Sequence, residues 1–363
     1  LRFGRRCNFA DALGLLMAAA CSLSAATAAD PGRPEKDPWE LKLFRFEFDN
    51  DSFIGSDDAF SAGWSVQIHS QLQDEWDPAY ASWIGKIPGL GDDGRGRRIT
   101  RWGYGISQAI VTPSDITIEA PQPADAPWAG FLGVTGTWSA YNNRRFAAVQ
   151  VYLGCMGPCA QAEDVQTFIH DVLGFGEHPA GWDNQLSNRA LANGYYEYRY
   201  KLLADETAAY VPGRFALDLA VGSQAAVGNL TTHLAVQAEF RFGWGLPMGF
   251  TKIPDPPGLG MAVEPVYADP EQPLVNLKHW RTYFNLVGRR TWFDYFAPAE
   301  GGPTESGYNH PALRPYPFEK SVIFGLHLAR VPFGIHLSYY TYFDGPDRNS
   351  TPDWVNFSFE YRF

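Results

Sequence analysis

The last ten residues, "WVNFSFEYRF", alternate to the end of the chain. Val355, Phe357, Phe359, Tyr361 and Phe363 fall at every second position, and Asn356, Ser358, Glu360 and Arg362 lie between them. A period of two is that of a β-strand, whose successive side chains point to opposite faces. Other segments repeat the pattern. In "LKLFRFEFD", Phe44, Phe46 and Phe48 oppose Arg45, Glu47 and Asp49. In "SAGWSVQIHS", Ala62, Trp64, Val66 and Ile68 oppose Ser61, Ser65, Gln67 and His69. In "HLAVQAEFRFGW", Leu234, Val236, Ala238, Phe240, Phe242 and Trp244 share one side. A soluble sandwich also alternates, so this pattern leaves two architectures open.

The chain end decides between them. A terminal Phe preceded by apolar residues at every second position resembles the assembly signal of bacterial outer-membrane barrels. Long strands and abundant aromatics, 15% of the chain, agree with it. The alternation predicts twelve strands, at about 41–49, 60–70, 100–110, 129–139, 144–154, 193–203, 212–222, 229–246, 280–293, 318–330, 333–343 and 353–363. Twelve is even, and each strand is long enough to cross a bilayer when tilted. The expected fold class is all-β: a twelve-stranded antiparallel outer-membrane β-barrel with a short helix in an extracellular loop.

Residues 1–29 read as a secretory signal peptide. Arg2, Arg5 and Arg6 precede a short apolar core, Ala12 to Ala20, and small residues continue to Ala29. Residues 30–363 then form one barrel domain with a helix-bearing outer loop at about 155–192. Losing three arginines and one aspartate takes the net charge from −11 to −13. An acidic chain argues against nucleic acid as a partner, and an anionic substrate would need a cation or a local basic patch. Beyond the signal only Cys155 and Cys159 remain, in "GCMGPCAQ". They form either a local disulfide, as an oxidising compartment favours, or a pair of inert thiols.

Strand parity sorts the loops. With a periplasmic N-terminus, connections after odd strands face outward. The tight turns at Asn142-Asn143 and Val331-Pro332 fall on the periplasmic side, as do two long connections, 71–99 and 247–279. The outer loop 155–192 carries a predicted helix in "AQAEDVQTFIHDVLGF", with Val165, Phe168, Ile169, Val172 and Leu173 on one face. Gln166 and His170, four apart, are neighbours on an adjoining face.

Two places could carry chemistry. "DNDSFIGSDD" supplies several oxygen donors of the kind that hard cations take, yet Asx residues and Gly also favour plain turns. Glu47, Asp49 and Asp51 share the lumen-facing parity of the first strand. Three carboxylates on one wall repel unless a cation or arginines neutralise them. His170 is either an ordinary surface histidine or a general base, since neutral imidazole titrates near ambient pH. No Ser/His/Asp triad or G-x-S-x-G elbow is evident.

Three stretches resemble the outer-membrane lipid A 3′-O-deacylases, a family of calcium-dependent twelve-stranded barrels. "FDNDSFIGSDDAFSAGW" is similar to the family's opening "ENDxF…D…YTNG". "TPSDIT" at Thr112–Thr117 follows the third strand. "LGCMGPCAQAEDVQTFIHDVLGFGEHPAGWDNQLSN" at Leu153–Asn188 is similar to "GxxGPxxxGxxVQxxxHxxxG…WxxQ".

The resemblance implies a Ca2+-dependent esterase that removes the 3′-linked acyloxyacyl chain from lipid A of lipopolysaccharide, acting as a monomer in the outer membrane with its site at the outer leaflet. Residue by residue, His170 falls on the catalytic histidine, and Asn50 and Asp51 on the Asn-Asp pair that serves the site and its calcium. Ser61 falls where the family has Thr. Gln166, Trp182 and Gln185 also match. Arg144, Arg145 and Arg189 are candidate phosphate contacts. One departure stands out: "SDITIEAPQPADAP" lacks the lysine that the family places near the oxyanion. The rival expectations are an outer-membrane phospholipase and a non-catalytic barrel serving as pore or scaffold.

Overall fold

The computed structural model describes residues 41–50, 62–73, 75–76, 83–91, 98–122, 125–173, 178–205, 211, 213–247, 249–253, 280–296, 319–330, 332–342 and 353–363. The signal peptide, Asp51, Asp57, Asp58 and Ser61 lie outside them, as does most of the connection 247–279.

Twelve strands close into an antiparallel barrel in sequence order, with the first paired to the last. They are β1 (Leu41–Asn50), β2 (Ala62–Ser70), β3 (Ile99–Val111), β4 (Ala129–Tyr141), β5 (Arg145–Met156), β6 (Arg189–Leu203), β7 (Phe215–Gly228), β8 (Thr231–Trp244), β9 (Arg281–Phe296), β10 (Glu319–Arg330), β11 (Phe333–Tyr342) and β12 (Trp354–Arg362). The prediction agrees to within a few residues except at the end of β7. "SQAAVG" alternates only small residues, too weak a signal to extend the strand, yet Ala225 pairs with both Tyr196 and Leu234.

The two faces of the wall are sorted by parity. Along β1, Leu43, Arg45, Glu47 and Asp49 are buried in the lumen, while Phe44, Phe46 and Phe48 lie on the outer face. On other strands Val134, Leu153, Val227 and Phe324 are exposed on the outside, and Arg199, Arg241, Glu239 and Asp218 are buried inside. Both ends of the described chain share one rim, where Phe363 N–H donates to Lys42 O. That is the inner rim of a bacterial barrel, and it also carries the short turns after β4 and β10.

Among the described residues, polar side chains of the wall and a returning stretch of chain occupy the lumen. After β8 the chain turns back, and residues 249–253 enter the barrel. Arg241 donates to Asp218 (2.9 Å), to Thr251 Oγ1 (3.1 Å) and to the carbonyl of Gly249 (2.7 Å). Arg199 donates to Thr251 O at 2.7 Å. Phe250 is fully buried beside Phe146, with Lys201 Nζ 5.1 Å from its ring centre. Lys252 reaches across to Glu47, whose other oxygen accepts from Ser65 and Gln67. Asn356 donates to Asp49 at 2.6 Å. The charge of Glu47 is thus countered by a lysine of the inner-rim connection, while Asp49 takes a hydrogen bond from a neutral amide.

Candidate functional site

The 3₁₀ turn Pro158–Ala160 leads into one α-helix, α1 (Ala162–Leu173). Cys155 and Cys159 form a disulfide that ties this entry to the end of β5. The N–H of Cys159 donates to Asn188 Oδ1, fastening the start of the loop to its end (2.8 Å).

α1 packs on the outside of the wall, over β3 and β4. Ala162, Val165 and Ile169 meet Ile110, Ile116, Trp128 and Trp182. The two indoles stand edge to face at 4.9 Å, a favoured aromatic geometry. Gly130 permits the close approach: a Cβ there would lie 2.5 Å from Ala162 Cβ and 3.0 Å from Ala160 Cβ.

A polar bracket completes the attachment. Gln108 lies on the outward face of β3, between Ile106 and Ile110. It accepts from Trp64 Nε1 (2.8 Å) and donates to Ala160 O (2.7 Å). Sequence reasoning missed Gln108, although it left a signal: a lone amide on a lipid-facing stripe is costly unless something covers it.

The helix is seated differently from the expectation. Val165 and Ile169 face the wall, but Phe168 and Val172 are 43% and 63% exposed. The contact of α1 with the protein is therefore narrower than its apolar arc. Gln166 is buried and accepts from Trp182 Nε1 at 2.9 Å. His170, one turn on, is half-buried. Asp171 turns away, its carboxylate 3.9 Å from His178 Nδ1 in an exposed pair. Gln185 Oε1 and Trp128 Nε1 are buried here with no hydrogen-bond partner in the protein.

Asn50 ends β1 with the outward parity of Phe46 and Phe48. It pairs with Ala62, which pairs with Ile110, against which α1 rests. Two strand spacings put the Asn50 and Ile110 backbones roughly 10 Å apart. Asn50 and the His170 helix therefore share one outer patch of the rim. Asp51 and Ser61 follow and precede described residues of this rim but lie outside them. Arg189 begins β6 at the same rim, whereas Arg144 and Arg145 belong to the β4–β5 turn at the opposite one. Those two arginines are therefore too far away to serve the site. Among the described residues no group of three or more His, Cys, Asp or Glu side chains is placed to hold a metal.

The sequence matches the family described as outer membrane protein LpxR over residues 14–363. The chain belongs to the LpxR family. It is the lipid A 3′-O-deacylase family that the three motifs resemble. The fold is similar to that of LpxR from Salmonella typhimurium: TM-score 0.67 and 15% identity, covering 88% of this chain and 100% of that one. A COG4313 outer membrane channel from Pseudomonas putida F1 aligns at TM-score 0.40 and 10% identity, covering 93% of this chain and 100% of that one. No curated protein matches the sequence. As in other members of the LpxR family, the chain is an outer-membrane β-barrel.

Proposed function

We propose that this LpxR-family barrel is a calcium-dependent esterase that removes the 3′-linked acyloxyacyl chain of lipid A. The observation that carries the reading is the seating of α1. The helix bearing His170 lies on the outside of the wall, beside Asn50, at the rim where outer-leaflet lipid meets the barrel. A site there receives an ester from the membrane side without passing it through the lumen. The stretch 249–253 held inside the barrel supports the same view, since it lies on the path that a pore would need.

His170 acts as general base. Its imidazole takes one proton from a water as the water oxygen adds to the ester carbonyl. It returns that proton to the departing 3′ oxygen, giving a free acyloxyacyl acid and a sugar hydroxyl. Ser61 orients the water through its hydroxyl. Gln166, held by Trp182, fixes the helix face from which His170 projects. The amide oxygen of Asn50 and the carboxylate of Asp51 have the hard-oxygen chemistry that calcium takes, and they are the residues that would hold it. Bound there, calcium supplies a Lewis acid for the carbonyl oxygen, a role that matters more because "SDITIEAPQPADAP" contains no lysine.

The test is mass analysis of lipid A incubated with wild type and with His170→Ala, each with calcium or with a chelator. The expected result is loss of one acyloxyacyl chain with wild type and calcium only, and a rate at least about 100-fold lower for His170→Ala. Cleaved glycerophospholipid with intact lipid A would assign a phospholipase. Cleavage of neither would leave a non-catalytic barrel.

A further inference from the structure

A second connection lies against the outside of the wall, at the inner rim. Residues 83–91, "WIGKIPGLG", belong to the connection between β2 and β3. Ile84 and Leu90 are buried against Ala140 of β4 and Ala147 of β5. Both alanines have outward parity, since their strand neighbours Ser139 and Phe146 lie on the lumen side. Gly89, at φ +81°, allows the approach: a Cβ there would lie 2.7 Å from Ala147 Cβ. Trp83 meets Trp138, outward on β4, edge to face at 5.1 Å. The stretch is a shelf laid on the outer face of the barrel.

The carbonyls of the shelf are drawn into hydrogen bonds with protein. Those of Trp83, Ile84 and Ile87 accept from N–H groups of the stretch itself. Those of the next four residues accept from side chains. The Tyr196 hydroxyl donates to Pro88 O (2.8 Å), Arg98 to Gly89 O and Gly91 O, and the Trp76 indole to Leu90 O (2.8 Å). A loop in water has no need of such partners. A stretch at lipid depth does, because hydrocarbon offers none. The side chains agree: Trp83 and Pro88 are exposed, Ile87 is half-buried, and Lys86 is the only charged residue of the stretch.

The height of the wall says where the shelf sits. On β4 the shelf reaches Trp138, and α1 rests on Gly130. The eight residue steps between them, at about 3.3 Å each and tilted by about 40°, rise roughly 20 Å, less than the apolar band of about 25 Å. The band therefore extends over the shelf, over α1 or over both. α1 exposes Glu163, Asp164 and Asp171, whereas the shelf has no acid. The overlap falls on the shelf. Trp83, Trp138, Tyr196 and Tyr198 then stand where the inner aromatic girdle of a barrel belongs. We infer that residues 83–91 are an insertion surface for the inner leaflet and that their partner is glycerophospholipid. Trp83 lies at the level of the glycerol esters, and acyl chains abut it and Ile87. The shelf continues the lipid-facing wall without a break, and that continuity selects lipid over a protein partner. It fixes the depth of the barrel on the side that carries α1.

Photo-crosslinking of the whole protein in outer membranes tests this. Trp83→benzoylphenylalanine keeps an aromatic side chain on the shelf. Arg144→benzoylphenylalanine, at an exposed position in the short β4–β5 turn of the same rim, is the reference. After irradiation each protein is purified and its adducts are weighed. The expected result is a glycerophospholipid adduct at position 83, in at least about fivefold higher yield than at position 144. Equal yields at the two positions would overturn the insertion. A cross-linked dimer would assign the shelf to a second copy, and an adduct with another protein would assign it to a protein partner. A lipid A adduct would place it in the other leaflet. Each of these three overturns the proposal. If the first variant does not fold, Lys86→benzoylphenylalanine, exposed on the same stretch, is measured with the same expected result.

Discussion

α1 and the stretch that returns after β8 are both connections laid back against the barrel wall, the first outside and the second inside. The inner segment is held by charge. Arg241, Arg199 and Lys252 reach its backbone or leave from it, and each is countered by a buried acid, Asp218, Glu239 or Glu47. The outer segment is held by shape. Ala162 and Val165 sit against Gly130, Trp128 and Ile110, with Gln108 as the main polar tie. The difference follows from solvent. Inside, the wall offers polar groups that need partners; outside, it offers an apolar face to lipid, where unpaired polar groups are costly. A site that works on lipid esters belongs to the second setting, and the stability of the barrel belongs to the first.

Arg241→Ala breaks the comparison from the inside, with the largest expected effect. It removes one of the two cations on Asp218, leaving Lys201 at 2.8 Å, and three attachments of the inner segment. Breaking a buried pair by deleting one partner costs about 3–5 kcal/mol, and the remaining lysine keeps the loss here toward the lower end. Denaturant unfolding followed by gel mobility should show that loss. Esterase activity per folded molecule should persist, because α1 contacts none of these groups. Lost activity in fully folded protein would mean that the two regions are coupled.

Gly130→Val attacks the outside. Its Cβ would overlap Ala162 Cβ, so α1 must lift or β4 must bend. Overpacking of this kind costs up to about 3 kcal/mol. Here it falls on the seat of the helix and not on the barrel's hydrogen-bond ladder. The expected outcome is a normal unfolding midpoint with at least about a tenfold drop in kcat/KM. A shifted midpoint with normal activity would place α1 among the barrel's structural supports instead.

The two regions were unequally legible in the sequence. The alternation located all twelve strands, and parity alone sent Arg45, Glu47 and Asp49 inward and Phe44, Phe46 and Phe48 outward. That works because one face meets lipid and the other does not, so every second residue reports its side. The helix was legible for the same reason. Its seating was not: Phe168 and Val172 belong to the apolar arc yet stay exposed, and a period of 3.6 does not say how much of an apolar arc a neighbour covers. The lysine that neutralises Glu47 sits some two hundred residues away in a connection with no periodic pattern. Nothing in the local sequence joins them. Asn50 and His170 were named through a motif, and what brings them to one patch is the pairing of β1, β2 and β3.

Gln108→Leu is a finer probe of the outer attachment. It strands Trp64 Nε1 and the Ala160 carbonyl, at about 1–2 kcal/mol for the docking of the loop. Hydrogen exchange at 158–173 should quicken, with the barrel strands unchanged. Unchanged exchange at 158–173 would mean that the bracket carries no weight.

The smallest effect lies in the "TPSDIT" loop next to α1, where a polar contact stands in water. Asp115 Oδ1 accepts from the Thr117 hydroxyl at 2.6 Å and from the Thr117 N–H at 2.9 Å. These two bonds, the hydroxyl first, hold the Asp115 carboxyl below its ordinary 3.8. The folded carboxyl therefore releases its proton more readily than the unfolded one. Its contribution to the turn is complete above 3.8 and fades as the pH falls through the lower folded value. Thr117→Val deletes the hydroxyl and keeps the N–H, so the Asp115 pKa should rise part of the way back, as read by carboxyl-carbon NMR. No rise would mean that the backbone bond alone sets the turn. Asp115 is exposed, so solvent screens the interaction and the barrel's unfolding midpoint should not move. The same carboxylate chemistry that anchors the returning stretch when it is buried at Asp218 only shapes a turn here, and burial is what separates the two.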